Sequence, residues 1–472
     1  MDARVPFDKD VLDRTPPEVL EYIGSLLDKI EKLNTVNHEL NAKLGMNSSN
    51  SSMPPSSDRP NNKPKRKPPR KPSGRKRGGQ PNHPRHTRPL VPTERVDKFV
   101  PCLPDSCNQC GAELDGEDPD PKRHQTAEIP PVEPIVTEYQ LHELECSECG
   151  GKTRGELPPG TPTGAFGPRL TAIMAMLVGV CRLGKRKIQQ LMSDLFGLSI
   201  SLGMICKLER RTSAALEEPT DELRDYIRGE PVNIDETSWR EGKRRCWLWV
   251  AVTKLVTVFI IAYRRNGDVA RKILGEDYCE AATSDRHGAY NWIELRQLCW
   301  AHLMRDFQAM IDRGGAGKAI GELLLIHAQV QFDWWHKFQQ GKLKRSTLKR
   351  YIALLRETFI EDLQRGIECG CAKTAGTCKN LLRDEEHLWT FAYVKDVEPT
   401  NNAGEREVRH PVLYRKTSGG TDSAAGSRYI ERILSVVATC RRQGRNILSY
   451  LTACLQADLE GQPAPSLLPD TE

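Results

Sequence analysis

Near the start of the chain, apolar positions recur every three or four residues: Ile23, Leu26, Ile30, Leu33, Leu40 and Leu44, with Asn37 the one polar member of the series. In heptad terms Ile23, Ile30, Asn37 and Leu44 take position a, and Leu26, Leu33 and Leu40 take d. Ile at a with Leu at d favours a parallel dimer, and one buried Asn at a fixes register at some cost in stability. The spacing predicts a coiled-coil helix over 17–45 and a homodimer formed through it. An amphipathic helix packed on its own chain is the alternative. Further on, 170–182, 185–196 and a stretch from Leu202 carry helical spacing, joined by a short turn containing Gly197. Such a pair is either a DNA-reading helix-turn-helix or a helical hairpin that merely packs, and the second is commoner. From 231 the period shortens to two. Runs 232–237, 246–253 and 256–263 predict three strands, 269–274 a short helix, and 281–285 and 295–299 two more strands. Residues 303–399 read as helical, 401–409 opens another helix, and 429–455 forms one further amphipathic stretch.

Three strands, a helix and two strands resemble the opening of a ribonuclease-H-like fold. The fold class expected is therefore α/β: a ribonuclease-H-like catalytic core with a helical insertion, preceded by a coiled-coil helix, a disordered basic linker and a small zinc ribbon. The corresponding boundaries are 17–45 for the coiled coil, 46–95 for the linker and 96–155 for the ribbon. A helical region follows over 160–228. The core occupies 229–302 and 400–457, split by the insertion 303–399, and 458–472 is a disordered tail.

Charge sharpens this picture. The net charge is +6, yet twelve Lys and Arg with no acid fall between Arg59 and Thr93, leaving −6 on the remainder. Lys65, Arg66, Lys67, Arg70, Lys71, Arg75, Lys76 and Arg77 lie among prolines and glycines, which prevent regular hydrogen bonding. Such a run neutralises DNA phosphates with salt-sensitive, sequence-independent affinity. A solvated linker is the plainer reading. The longest uncharged apolar stretch, 170–181, is too short for a membrane span, which needs ~20 residues. The first residues carry acids and no apolar core, so no secretory signal is read and a cytoplasmic protein is expected.

Of 15 cysteines, four are patterned: Cys107-x-x-Cys110-Gly and Cys146-x-x-Cys149-Gly. Two such knuckles supply four thiolates for a tetrahedral structural Zn2+. Their separation is longer than the commonest one, and it includes a strand-like run, 135–144. A redox CxxC is the rival, and two pairs in one short segment argue against it.

Asp235, in Asn233-Ile-Asp-Glu-Thr237, ends the first core strand, and Asp285, in Ser284-Asp-Arg-His-Gly-Ala-Tyr290, ends the fourth. If those strands are adjacent, the two carboxylates converge, and Glu405 in Asn401-Asn-Ala-Gly-Glu-Arg406 is the candidate third. Three such oxygens can hold two Mg2+ ions and clamp an in-line displacement at phosphorus. Glu236 and Glu407 are the neighbouring acids that compete for these roles, although Glu407 projects some 200° away from Glu405 on a helix.

Taken in order, several features together resemble the transposases of the bacterial insertion sequence 66 family over residues 20–455. They are the zipper, the Ser/Pro linker at 51–58, the basic block at 74–86, the paired knuckles, NIDET, SDRHGAY, Cys299-Trp-Ala-His302, NNAGER, and Arg415-Lys416 before Ser418-Gly-Gly420. The resemblance implies a DDE-type DNA transposase with Asp235, Asp285 and Glu405 as the acidic triad and two Mg2+ (or Mn2+) ions. It would hydrolyse phosphodiesters at element ends and then transfer the 3′-hydroxyl into target DNA. DNA is thus the expected partner, accessory proteins of the same element are plausible, and the protein would sit at the bacterial nucleoid. Cys299 and His302 match a signature of the family. Two ligands are too few for zinc, so packing beside the active sheet is expected for them. Thr400 stands where the family often has Asp, and Asn82 where it usually has Gly. Arg409, one turn after Glu405, and Arg415 and Lys416 are candidate phosphate contacts. Trp334, Trp335 and Trp389 either stack on an unpaired base or, more commonly for Trp, fill a core. The competing function is a non-catalytic zipper-and-zinc DNA-binding protein derived from a transposase.

Overall fold

The computed structural model describes residues 16–44, 46–47, 51 and 88–469. The basic residues from Lys65 to Arg77 and most of the 46–95 stretch lie outside them. The described residues fall into two units, 88–138 with 191–198, and the remainder. Helix α1 (Pro17–Leu44) covers the heptad run. Its seam is open to solvent at Leu26, Ile30 and Leu33, with Ile30 52% and Leu33 66% exposed.

In the smaller unit, the side-chain amide of Gln125 clasps the backbone of Val91: it accepts from Val91 N–H at 2.8 Å and donates to Val91 O at 2.9 Å. A single bridge, Ser106 to Glu113, closes the loop carrying Cys107 and Cys110. In the larger unit, β1 (Glu143–Glu145) and β2 (Lys152–Arg154) pair antiparallel around Cys146 and Cys149. The strand-like run expected over 135–144 is therefore a strand only at its final two residues. Ile135, 97% exposed, has nothing to pack against that would order the rest.

Helices α2 (Pro168–Gly179), α3 (Lys185–Phe196), α4 (Leu202–Ala215) and α5 (Glu217–Tyr226) precede the main sheet. Strand β3 (Val232–Glu241) alternates: Val232, Ile234 and Glu236 are buried on one face, while Asn233, Asp235 and Thr237 lie on the other. It pairs antiparallel with β4 (Arg244–Val252), which pairs antiparallel with β5 (Thr257–Ala262). After helix α6 (Gly267–Leu274), β6 (Ala282–Ser284) joins β3 in parallel and β7 (Arg296–Leu298) joins β6 in parallel. The sheet order is β5-β4-β3-β6-β7.

Five helices follow: α7 (Trp300–Arg313), α8 (Ala316–Gln339), α9 (Arg345–Ile367), α10 (Ala372–Arg383) and α11 (Thr390–Tyr393). They enclose their own core, in which Trp300, Phe307, Phe359 and Trp389 are fully buried and in mutual ring contact. Trp335 belongs to that core and Trp334 packs on Tyr351, so these three tryptophans serve packing. The segment after α10 runs beside β7: Thr390 Oγ1 donates to Arg296 O at 2.6 Å, and Phe391 N–H donates to Gln297 Oε1 at 2.8 Å.

Helix α12 (Asn402–Ser418) lies along the Asn233–Thr237 face of β3, and α13 (Ala424–Gln443) lies against β5. On β5, Thr257 N–H donates to Thr439 Oγ1 at 3.1 Å, Phe259 N–H to Ser435 Oγ at 2.9 Å, and Ile261 N–H to Glu431 Oε1. Four helical residues advance ~6 Å and two strand residues ~6.6 Å, so the two rows stay in step.

Two expectations at the C-terminus are corrected. The stretch 429–455 is not one helix, because Gly444 adopts a left-handed φ of 68° that ends α13, and α14 (Ile447–Glu460) begins anew. Nor are residues 458–469 a free tail. Leu467 is fully buried, Tyr450 Oη donates to Pro465 O at 2.8 Å, and Arg445 donates to Ser466 O and Leu468 O at 3.0 Å each.

Candidate active site

Register explains how the two aspartates meet. β3 and β6 pair through Val232 with Ala282 and Asn233 with Thr283. Carrying that parallel register two residues on brings Asp235 level with Asp285, which directly follows β6. Asp235 is not at a strand end, as expected from sequence, because β3 continues to Glu241; it is β6 that stops. Asp285 is fixed by His287 N–H, which donates to its Oδ1 at 2.9 Å, while the buried Arg296 donates to its backbone carbonyl at 2.5 Å.

Glu405 arrives from the first turn of α12, where a carboxylate is favoured by the helix dipole. The buried Asn401 positions that turn. Its amide donates to Ile234 O at 2.9 Å and accepts from Asn233 Nδ2 at 3.1 Å, and its carbonyl accepts Glu405 N–H at 3.0 Å. Farther along, Trp239 stacks on Tyr414 with ring centroids 6.1 Å apart. Arg415 donates to the Ser238 carbonyl and, at 2.6 Å, to its hydroxyl.

The three acids share an electrostatic environment. Burial first, then the charge of Glu236, with Asp285 and Glu405 adding to it, pushes Asp235 up to about 8, against the hydrogen bond its carboxylate accepts from Glu236 N–H. Glu236, on the opposite face of β3, is committed elsewhere: Arg265 bonds it at 2.5 Å and Tyr290 Oη donates to it. Glu407 is likewise paired with Arg442 at 2.9 Å, whereas the charge of Glu405 acts on Asp235.

Cys299 and His302 stand beside Glu405. Cys299 follows β7 as the N-cap of α7, is buried, and accepts Asn401 N–H on Sγ at 3.2 Å. Burial pushes its thiol up. His302 Nδ1 lies 3.7 Å from Glu405 Oε1. Of the candidate phosphate contacts, Arg409 and Lys416 are exposed, whereas Arg415 is occupied by Ser238. Sequence reasoning missed Asn233, Asn401, Arg265 and Tyr290. The two asparagines flank the acids within NIDET and NNAGER, which was a usable signal; Arg265 carries none.

Each cysteine knuckle has the same internal geometry. Cys107 N–H donates to Ala112 O at 2.8 Å and Gly111 N–H to Cys107 O at 2.9 Å; Cys146 N–H donates to Gly151 O and Gly150 N–H to Cys146 O, both at 2.9 Å. Gly111 and Gly150 take the positive φ these turns need, 77° and 68°. Backbone N–H groups aimed at sulfur lower the Cys107 and Cys146 thiols, the condition a metal ligand requires.

Three family models match the chain. One described as a zinc-finger binding domain of transposase IS66 matches residues 104–150, which include all four knuckle cysteines. One described as a family of unknown function matches 12–89. The chain is also 26% identical over 282 residues to the uncharacterized protein y4qI of Sinorhizobium fredii, an alignment that spans 52% of each chain. About half the length of that relative is therefore covered. The third model, described as Transposase IS66 family, matches residues 163–429, more than half of the 472 residues and the whole stretch from Asp235 through Asp285 to Glu405. The chain belongs to the IS66 transposase family.

Proposed function

We propose that the chain is a DDE-type DNA transposase with a ribonuclease-H-like core, in which Asp235, Asp285 and Glu405 act together on phosphodiesters at the ends of its element. The observation that supports this reading is geometric: the parallel register of β3 with β6, carried two residues on, sets Asp235 level with Asp285, and Asn401 ties the start of the helix bearing Glu405 to the same strand. The sheet order, three antiparallel strands with two parallel additions, supports the core assignment.

Crowded carboxylates favour cations, and oxygen donors suit hard divalent ions. The donor set fits Mg2+ or Mn2+: Asp235, Asp285 and Glu405 offer oxygen alone, and the charges of Asp285 and Glu405 act on Asp235. When bound, a pair of such ions supplies charge stabilisation at phosphorus and a more nucleophilic oxygen. The chain's own residues set the stage. Asn233 and Asn401 lock the Glu405 helix onto the Asp235 strand, while Arg265 and Tyr290 hold Glu236 out of the site. Hydrolysis at an element end frees a 3′-hydroxyl, which attacks target DNA. The exposed Arg409 and Lys416 are suited to phosphate, as is the basic stretch from Lys65 to Arg77. The zinc-finger match over 104–150 supports structural Zn2+ on the knuckle cysteines, and the exposed Leu26, Ile30 and Leu33 of α1 join two copies. Accessory proteins of the same element are further partners. No helix among the described residues is long and apolar enough to cross a membrane, and action at the nucleoid fits a DNA substrate.

A strand-transfer assay with cognate ends and Mg2+ or Mn2+ tests the reading. Asp235→Ala, Asp285→Ala and Glu405→Ala should each abolish cleavage and joining while end binding persists. Binding without cleavage in the unaltered chain would favour a non-catalytic descendant, and cleavage by any one variant removes that residue from the triad.

A further inference from the structure

Cys299 and His302, which stand beside Glu405, are unexplained by phosphoryl transfer. One sulfur, one imidazole nitrogen and one carboxylate oxygen lie within 4.8 Å of one another. The separation of His302 Nδ1 from Glu405 Oε1, 3.7 Å, is too long for a hydrogen bond. Both atoms are nonetheless buried and lack any hydrogen-bond partner. Leaving two buried polar atoms facing each other unsatisfied is costly, and native folds rarely do so without a reason. A cation between them satisfies both.

We propose that Cys299, His302 and Glu405 form a mononuclear site for zinc, separate from the knuckle cysteines. Tetrahedral zinc with bonds of ~2.0–2.3 Å holds its ligand atoms roughly 3.5 Å apart, against 3.7 Å between His302 Nδ1 and Glu405 Oε1 and no more than 4.8 Å from either to the Cys299 sulfur. A mixed sulfur, nitrogen and oxygen set is chosen by zinc and refused by magnesium, which takes oxygen alone. Three protein ligands leave the fourth position open, the pattern of a reactive rather than a purely structural zinc.

The second layer is also built. Asn401 N–H donates to Cys299 Sγ at 3.2 Å, the kind of contact that steadies a metal-bound thiolate. Trp300 N–H donates to Pro399 O at 3.0 Å, binding the start of α7 to the approach to α12. The ligands therefore come from two helix starts tied together by backbone, with Cys299 and His302 three residues apart on one of them. The site shares Glu405 with the proposed triad, but its test does not require strand transfer, since zinc is counted on protein without DNA.

The test is zinc per chain, measured by mass spectrometry on the full-length protein after exhaustive dialysis, with folding followed by circular dichroism. Cys299→Ser and His302→Ala should each lose about one equivalent relative to the unaltered chain, and Cys107→Ser should lose a different one, so that the double variant loses both. Equal zinc in the unaltered chain and in folded Cys299→Ser and His302→Ala overturns the proposal. Cobalt loading of the same full-length chain guards against a variant that merely folds poorly. Unaltered protein should show a single-thiolate cobalt absorption in addition to that of the knuckles, and a spectrum carrying only the four-sulfur signature also overturns it. Strand transfer that fails while the zinc count holds would indict the catalytic reading alone.

Discussion

Gly404 has no side chain because Asn401 stands where one would go. A Cβ built there meets Asn401 Oδ1 at 2.8 Å and Nδ2 at 3.1 Å, and the amide cannot turn aside without surrendering Ile234 O and Asn233. Gly404→Ala should therefore cost about 1–3 kcal/mol, the range for stranding a buried polar group. It should lower strand transfer more than end binding, because Glu405 is the next residue. Urea unfolding and the transfer assay check this together; an unchanged midpoint with unchanged transfer would show that Asn401 is not rigid. The acids themselves were legible in the sequence because their motifs are local. The role of Asn401 was not, since a buried amide acquires its meaning from the strand it meets, 167 residues away. Glu236 and Glu407 competed with the triad as neighbouring acids, and the structure commits them to Arg265 and Arg442.

At the scale of elements, α13 on β5 makes the clearest energetic statement. Burial pushes Glu431 up to about 7 against the opposing pull of Arg428, of Ile261 N–H, and of Arg224 and Arg432. An acid raised in the folded state binds more protons there than in the unfolded chain. Its contribution is full below the ordinary value of 4.5 and is lost as pH rises through about 7. Glu431→Gln should remove that part of the pH dependence, read as a smaller difference between urea midpoints at about pH 5 and pH 8 than in the unaltered chain. Helix α1 supports a second expectation. With Leu26 and Leu33 open on the surface, Leu26→Asp with Leu33→Asp should leave the core folded and convert a dimer to a monomer in sedimentation analysis; a dimer that survives places the interface elsewhere. Periodicity read β3 and α1 well, because each has several residues repeating one pattern, while the three-residue β6 and β7, buried throughout, were legible only as short runs. It failed over 429–455, where Gly444 interrupts nothing apolar, and at 458–469, where one residue, Leu467, does the anchoring and a single residue has no period.

For the whole molecule, charge is partitioned: the stretch from Arg59 to Thr93 carries +12 and everything else −6. Deleting 59–93 should flatten the salt dependence of DNA binding by about 0.9 in the logarithmic slope for each phosphate that is no longer neutralised. It should leave cleavage of pre-bound ends largely intact; titrations across a range of salt concentrations measure the slope, and an unchanged slope assigns the electrostatics to the folded units. Composition made this division visible without any structure, whereas the flanks of the main sheet could not be foreseen. On one side β5 spends its outward amides on Thr439, Ser435 and Glu431, and on the other β7 is met by Thr390 at Arg296 O and by Phe391 at the Gln297 side chain. A sheet whose two outermost strands are already engaged has no template for a foreign strand. Copies of the chain drawn close together must then meet through helices and loops, and the main sheet is shielded from fusing edge to edge.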